Sequence, residues 1–145
     1  MRWMLLGLIA AVMMLALATA VPVQAQAKRT IKIVATSYKF EPNIINVRQG
    51  ETVVLELVNG DPVEGGRNHS INSELLAKVT VTARGDLAAQ GTAAGRRFFA
   101  VAPGKTIEVE FVASERGTFG FICGVSDHAA RGLAGAINVL LPASP

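Results

Sequence analysis

Thr118-Phe119-Gly120-Phe121-Ile122-Cys123-Gly124-Val125-Ser126-Asp127-His128 is the stretch that decides the fold. In an extended chain successive side chains point to opposite faces, so Phe119, Phe121 and Cys123 share one face. The cysteine therefore leaves the end of a strand with its sulfur toward an apolar interior. Beyond it the chain has to turn back, because an extended run would carry His128 too far from Cys123 for the two to meet at one point.

The same period of two extends outward from this strand. Upstream, Pro103-Gly104 marks a turn, Ile107, Val109 and Phe111 alternate with Thr106, Glu108 and Glu110, and Ser114 to Gly117 forms another turn. Downstream, 136–141 predicts a last strand with Ile137, Val139 and Leu141 on one face. Nearer the N-terminus, Ile31, Ile33 and Ala35, then Ile45 and Val47, then Val53, Leu55 and Leu57 each line one face of a strand. Arg48-Gln49-Gly50-Glu51 and Asn59-Gly60-Asp61-Pro62 supply turn residues between and after them. Short alternating strands separated by turns predict an all-β sandwich of one domain. The middle of the chain is less patterned: 73–78 fits one helical turn, 79–82 a short strand, and 85–95, rich in Gly, Ala and Gln, a loop. Glu64, Arg67, Arg96 and Arg97 read as solvated loop charges, and the terminal Pro-Ala-Ser-Pro as disordered.

Residues 1–27 have the pattern of an export signal: Arg2, an apolar run over 5–20, and Ala25-Gln26-Ala27 as a small-residue cleavage site. An uncleaved anchor is the alternative, since the run is near the lower limit for crossing a bilayer. Either way the domain at 28–145 is expected outside the cytoplasm, in a periplasm or its equivalent. The formal charge is +3 for the whole chain. Its basic residues are scattered, which gives no footprint for nucleic acid.

The 145 residues contain one cysteine and two histidines, His69 and His128. A lone cysteine in an exported protein has no internal disulfide partner, and it is either an inert buried thiol or a metal ligand. Two imidazoles and one thiolate form the trigonal set that selects copper for electron transfer, so His69, Cys123 and His128 are the candidate metal ligands.

The segment 101–139, with Pro103-Gly104-Lys105, Gly117-Thr118-Phe119, Cys123, His128 and Gly132-Leu133-Ala134-Gly135, resembles the C-terminal half of the cupredoxins, the plastocyanin and azurin type of blue copper protein. Tyr38-Lys39-Phe40-Glu41-Pro42, Gly50-Glu51-Thr52-Val53, Asn59 and Asn68-His69-Ser70 resemble the first half. The resemblance implies a Greek-key β-sandwich, one type 1 copper ion and redox protein partners that dock near His128. It implies that the edge of His128 is the electron's exit, within a small apolar collar of Ala129, Ala130, Leu133 and Ala134, and that Arg131 favours an acidic partner. Ser70 occupies a position where the family often ties the ligand loops together, with an ordinary strand serine as the alternative.

One position departs from the pattern. The family usually supplies an axial methionine five residues after the second histidine, and here that residue is Leu133; Met1, Met4, Met13 and Met14 all lie in the leader. Without a thioether donor, Cu(II) is less stabilised than Cu(I), and a raised reduction potential is expected. Asp127 or a backbone carbonyl such as that of Asn68 is the alternative fourth donor.

Three classes of function follow. An exported single-copper electron carrier, which is not an enzyme, comes first, and a copper-binding or delivery protein is the alternative. An enzyme with a second copper centre would need further histidines or a second cysteine, and the sequence has neither.

Overall fold

The structure is a computed structural model that describes residues 28–142. The expected leader at 1–27 and the last three residues of the Pro-Ala-Ser-Pro tail lie outside the described residues. In chain order the elements are β1 (Arg29–Thr36), β2 (Lys39–Glu41), β3 (Ile44–Arg48), β4 (Thr52–Asn59), β5 (His69–Ser73), α1 (Glu74–Lys78), β6 (Val81–Gly85), β7 (Leu87–Ala93), β8 (Arg96–Val101), β9 (Thr106–Val112), β10 (Gly117–Ile122) and β11 (Ala134–Leu140). Among the described residues no helix is long and apolar enough to cross a membrane.

The strands form two sheets, ordered β2-β1-β4-β9-β6 and β3-β11-β10-β5-β8-β7. Most neighbours run antiparallel, but β1 lies parallel to β4 and β3 parallel to β11. The expected all-β sandwich is therefore the observed fold. Its core is the alternating set read from the sequence: Ile33, Ala35, Val53, Leu55, Leu57, Ile107, Val109, Phe121 and Ile137 are all fully buried. Each such aliphatic or aromatic side chain removed from water contributes roughly 1.5–3 kcal/mol.

Three segments differ from the sequence reading. The stretch 85–95 is not a loop: it holds β7, which pairs with β8 across a two-residue hairpin turn at Ala94-Gly95, both with positive φ (49° and 74°). It escaped detection because β7 is an edge strand of small residues, largely exposed on both faces, so it has no apolar alternation to read. Arg96 and Arg97 are correspondingly strand residues of β8, half-buried, with the Arg97 guanidinium 5.3 Å from the Phe99 ring centroid. The last strand begins two residues earlier than expected and ends at Leu140, leaving Leu141 exposed.

The helical turn is present as α1. Ser73 caps it, its Oγ accepting from the Leu75 amide at 3.3 Å and donating to the Gly120 carbonyl at 3.0 Å. Leu75 and Leu76 are thereby turned fully into the core, and the short strand expected after the helix is β6, displaced by two residues.

Candidate metal centre

His69 is the first residue of β5, and Cys123 follows the last residue of β10. These two strands are antiparallel neighbours, paired at Phe121 with Ser73 and Ile122 with Asn72, so the two side chains come from adjacent strand ends. His128 arrives on the loop that follows, which folds into a compact helical turn: the His128 amide donates to the Val125 carbonyl at 3.1 Å and the Arg131 amide to the Asp127 carbonyl at 3.1 Å. Leu133 closes this loop, its amide donating to the His128 carbonyl and its carbonyl accepting from the Cys123 amide, both at 3.0 Å.

The result is a cluster in which one ligand atom each from His69, Cys123 and His128 lies within 4.8 Å of the others. All three are buried, at 1%, 0% and 1% exposure. His128 Nδ1 stands 3.5 Å from Cys123 Sγ. Metal–sulfur and metal–nitrogen bonds of about 2.3 and 2.0 Å at a near-trigonal angle require a separation of about 3.5–3.8 Å, so this pair is spaced to share one ion.

Hydrogen bonding makes the same point. His69 Nδ1, His69 Nε2 and His128 Nε2 are buried without a hydrogen-bond partner among the described residues. An unsatisfied buried polar group costs roughly 1–3 kcal/mol; a single ion takes one nitrogen from each ring, so the orphan it would complete is His69 Nδ1, with His128 offering the Nδ1 that faces the sulfur. A soft thiolate with two imidazoles is the donor chemistry copper takes. The cysteine is free, as the sequence requires.

Ser70 has the tying role. Its amide donates to Cys123 Sγ at 3.4 Å. Its hydroxyl accepts from the Gly124 amide at 3.0 Å and lies 2.7 Å from Asn72 Oδ1 and 3.8 Å from the sulfur. A hydroxyl has one proton, and the short contact to Asn72 takes it. The backbone N–H is therefore the direct donor to sulfur, while the side chain joins β5 to the loop after β10. Gly124 has no room for a side chain, because a Cβ there would stand 2.4 Å from Asn72 Nδ2.

Two important neighbours were not singled out from the sequence. Asp61, read there only as a turn residue, places Oδ2 3.1 Å from His69 Nε2, with its side chain 10% exposed. The pair is close but off the line of a good hydrogen bond, so the attraction is chiefly electrostatic. Burial pushes the His69 imidazole below its usual pKa, Asp61 opposes that shift, and His128 adds to it. Asn59 holds this loop in place, its Nδ2 donating to the Arg67 and Val101 carbonyls at 2.8 and 3.1 Å and its Oδ1 accepting from the Asp61 amide at 3.0 Å.

The second neighbour is Tyr38, in the turn between β1 and β2. Its ring stands edge-to-face with His128, centroids 5.6 Å apart at 88°, and its φ is +66°. A non-glycine residue in that region costs roughly 1–3 kcal/mol and persists where its surroundings over-determine it.

Asp127 lies outside the cluster, exposed and facing Arg131 at 3.8 Å; Asn68 directly precedes His69 and is exposed. Leu133 is fully buried in the core with Cys123, so it belongs to the interior and not to a surface collar. Ala129 and Ala134 are half-buried and Ala130 is exposed.

With fold and site in view, the chain belongs to the family of the cupredoxin-like domain, whose model matches residues 7–133. Among solved structures it is similar to auracyanin B (18% identity, 84% of this chain and 92% of that one, TM-score 0.56). It is similar also to auracyanin A, described as a "blue" copper protein from Chloroflexus aurantiacus (17% identity, 78% and 99% covered, TM-score 0.57). A multi-copper oxidase from Pediococcus acidilactici shares the fold at 14% identity and TM-score 0.56, over 84% of this chain, which spans 28% of the oxidase's length. No curated protein matches the chain.

Proposed function

We propose that this protein is a type 1 copper protein that carries single electrons, with His69, Cys123 and His128 as the ligands of one copper ion. The observation that carries the proposal is the meeting of the sequence's one cysteine with both its histidines in a buried cluster whose ligand atoms lie within 4.8 Å of one another. When bound there, copper supplies a one-electron couple between Cu(I) and Cu(II).

The chain's own part is to hold three ligands still and dry. Cys123 and His69 are fixed by adjacent strand ends, and His128 by a loop hydrogen-bonded to itself through Leu133. A rigid ligand set of this kind needs little rearrangement between oxidation states. The Ser70 amide holds the Cys123 sulfur in place by donating to it at 3.4 Å. Asp61 orients His69 through the ring nitrogen opposite the ligand atom and makes it a better donor. Leu133, apolar and fully buried, offers no fourth donor, and its predicted consequence is a raised reduction potential.

Burial separates this function from the alternatives. A delivery protein needs ligands that an acceptor can reach, and these are at most 1% exposed. An enzyme with a second copper centre would need further histidines or a second cysteine, and the sequence has neither. The domain at 28–145 acts outside the cytoplasm once the leader has directed its export, and electrons pass to and from redox proteins.

The absorption spectrum of the protein titrated with Cu(II) tests the proposal. An intense thiolate-to-copper band in the visible, at one copper per chain and lost in Cys123→Ser, is expected; a folded, copper-loaded protein without it contradicts the assignment.

A further inference from the structure

The end of the sandwich opposite the metal centre carries a cluster of its own, set by strand register. Arg48 of β3 stands opposite Leu140 of β11, and Asn138 of β11 stands between Asn46 of β3 and Thr118 of β10. Alternation turns these side chains to the outer face, away from the buried Ile45, Val47, Ile137 and Val139. Asn138 ties the three strands together, its Nδ2 donating to Asn46 Oδ1 at 2.8 Å and its Oδ1 accepting from Thr118 Oγ1 at 2.9 Å. Gly117 is opposite Val139, so Arg116, one residue earlier, falls at the level of Leu140. A cleft of about 560 Å³ opens there, with Arg48, Arg116, Thr118, Asn138, Leu140 and Leu141 among its lining residues.

Charge and apolar surface are both left unmatched in this cleft. At the same end, Lys28 pairs with Glu110 at 2.6 Å and Arg29 with Glu51 at 3.4 Å, and Glu51 also accepts from the Arg48 amide. Arg48 and Arg116, both exposed, form no ion pair among the described residues. Glu115, next to Arg116 in the chain, does not line the cleft. Between and beside the two arginines, Leu140 and Leu141 are 48% and 61% exposed. Two free guanidiniums flanking exposed leucines complement a surface that is anionic outside and apolar beneath; a small free anion would engage the arginines and give the leucines nothing.

The path of the chain brings this end to a bilayer. Residues 21–27 join the apolar run over 5–20 to Lys28, a tether of at most about 25 Å. Lys28 enters β1 at the same end of the sandwich, where Arg29 Nη1 donates to the Asn46 carbonyl at 3.0 Å. While the leader is engaged in a membrane, before cleavage or as an anchor, this is the end held beside the lipid.

We infer that this end is a membrane-docking face. Arg48 and Arg116 take the phosphates of anionic phospholipid headgroups, and Leu140 and Leu141 enter the interface between headgroups and acyl chains. Cys123 lies a full strand away from Gly117 along β10, about 20 Å. A domain seated on this face therefore presents its buried ligand cluster away from the bilayer.

The test places the full chain, reduced so that any copper it holds is diamagnetic, in bicelles of phosphatidylcholine with or without phosphatidylglycerol, doped with a gadolinium-chelate lipid. Broadening of backbone amide NMR signals is expected at residues 46–48, 116–118 and 138–141 in the bicelles that contain phosphatidylglycerol, and it fades as salt rises. Arg48→Gln/Arg116→Gln changes two exposed side chains and leaves the core intact. It is expected to weaken the association roughly thirtyfold, fivefold for each cation, read from a phosphatidylglycerol titration of the broadening.

Equal broadening at these amides without phosphatidylglycerol, an unchanged titration in the double variant, or broadening centred on any other face overturns the inference. So does a shift of the same amides by glycerol 3-phosphate without broadening in bicelles, which makes the cleft a site for a free anion. The readout does not involve the metal, so its failure leaves the electron-carrier proposal standing, and the loss of that proposal leaves this one to be decided by the same spectra.

Discussion

Replacing Asp61 with asparagine keeps the shape of the side chain and deletes its charge, which makes Asp61→Asn a clean probe of the electrostatics at the metal centre. Oδ2 stands 3.1 Å from His69 Nε2. The width of the ring and one coordinate bond add roughly 4 Å, which puts the carboxylate roughly 7 Å from the ion. The side chain is only 10% exposed, so an effective dielectric near 20 applies, and one unit of charge at that distance is worth about 2.4 kcal/mol. Oxidation adds one positive charge to the ion, so Asp61 favours the oxidised state by that amount, and its removal raises the reduction potential by roughly 100 mV, at about 2.3 kcal/mol per 100 mV. Spectroelectrochemical titration of wild-type and Asp61→Asn proteins at one pH and salt concentration measures the shift. A potential that falls, or that moves by less than a quarter of this value while the visible band is kept, refutes the electrostatic role given to Asp61.

Leu133→Met, which puts a thioether at the sequence position where the family usually has its methionine, lowers the reduction potential in the same titration. Leu133→Ala truncates a fully buried side chain and costs about 2–5 kcal/mol, seen as a melting temperature lower by roughly 10 °C or more. Ser70→Ala leaves the Gly124 amide and Asn72 Oδ1 without their partner; it lowers stability by about 1–3 kcal/mol in urea denaturation and keeps the visible band, because the donor to sulfur is the backbone amide. In the metal-free protein, burial lowers the His69 pKa, so below the ordinary histidine value of about 6.5 the unfolded chain binds the proton that the fold refuses. Stability is full above that pH and is lost as pH falls through it, by up to about 1.4 kcal/mol per unit until the folded value is reached. Urea midpoints of the metal-free protein between neutral and mildly acidic pH check the sign.

The parts of this molecule legible in its sequence are those governed by local periodicity. Ile107, Val109 and Phe111 alternate in the chain and are buried together in β9, and the same holds for Val53, Leu55 and Leu57 in β4. Cys123 was legible because its place after Phe119 and Phe121 fixed its face. The trio proposed as ligands could be picked out by counting, since the sequence has one cysteine and two histidines, and the three side chains meet in one cluster. What stayed hidden depends on apposition across the fold. In β7, strand structure comes from backbone pairing with β8, and Ala88, Ala89 and Gln90 have no inward face to announce it. Asp61 sits in a loop whose path is set by Asn59, Arg67 and Val101, and nothing in Asn-Gly-Asp-Pro distinguishes a carboxylate beside an imidazole from one in water. Tyr38 reaches His128 from the other sheet, and no spacing along the chain encodes that meeting. The Gly124 constraint likewise belongs to Asn72, fifty-two positions upstream.

The copper-edge X-ray absorption of the protein loaded with one equivalent of Cu(II) bears most directly on the central claim that the sulfur and the two imidazoles hold a single ion. Fitting of the extended fine structure should return one sulfur at about 2.2–2.3 Å and two imidazole nitrogens at about 2.0 Å, with the sulfur shell missing in Cys123→Ser. A first shell of nitrogen and oxygen alone in the folded wild-type protein would mean that copper sits elsewhere and that the buried trio is not its site.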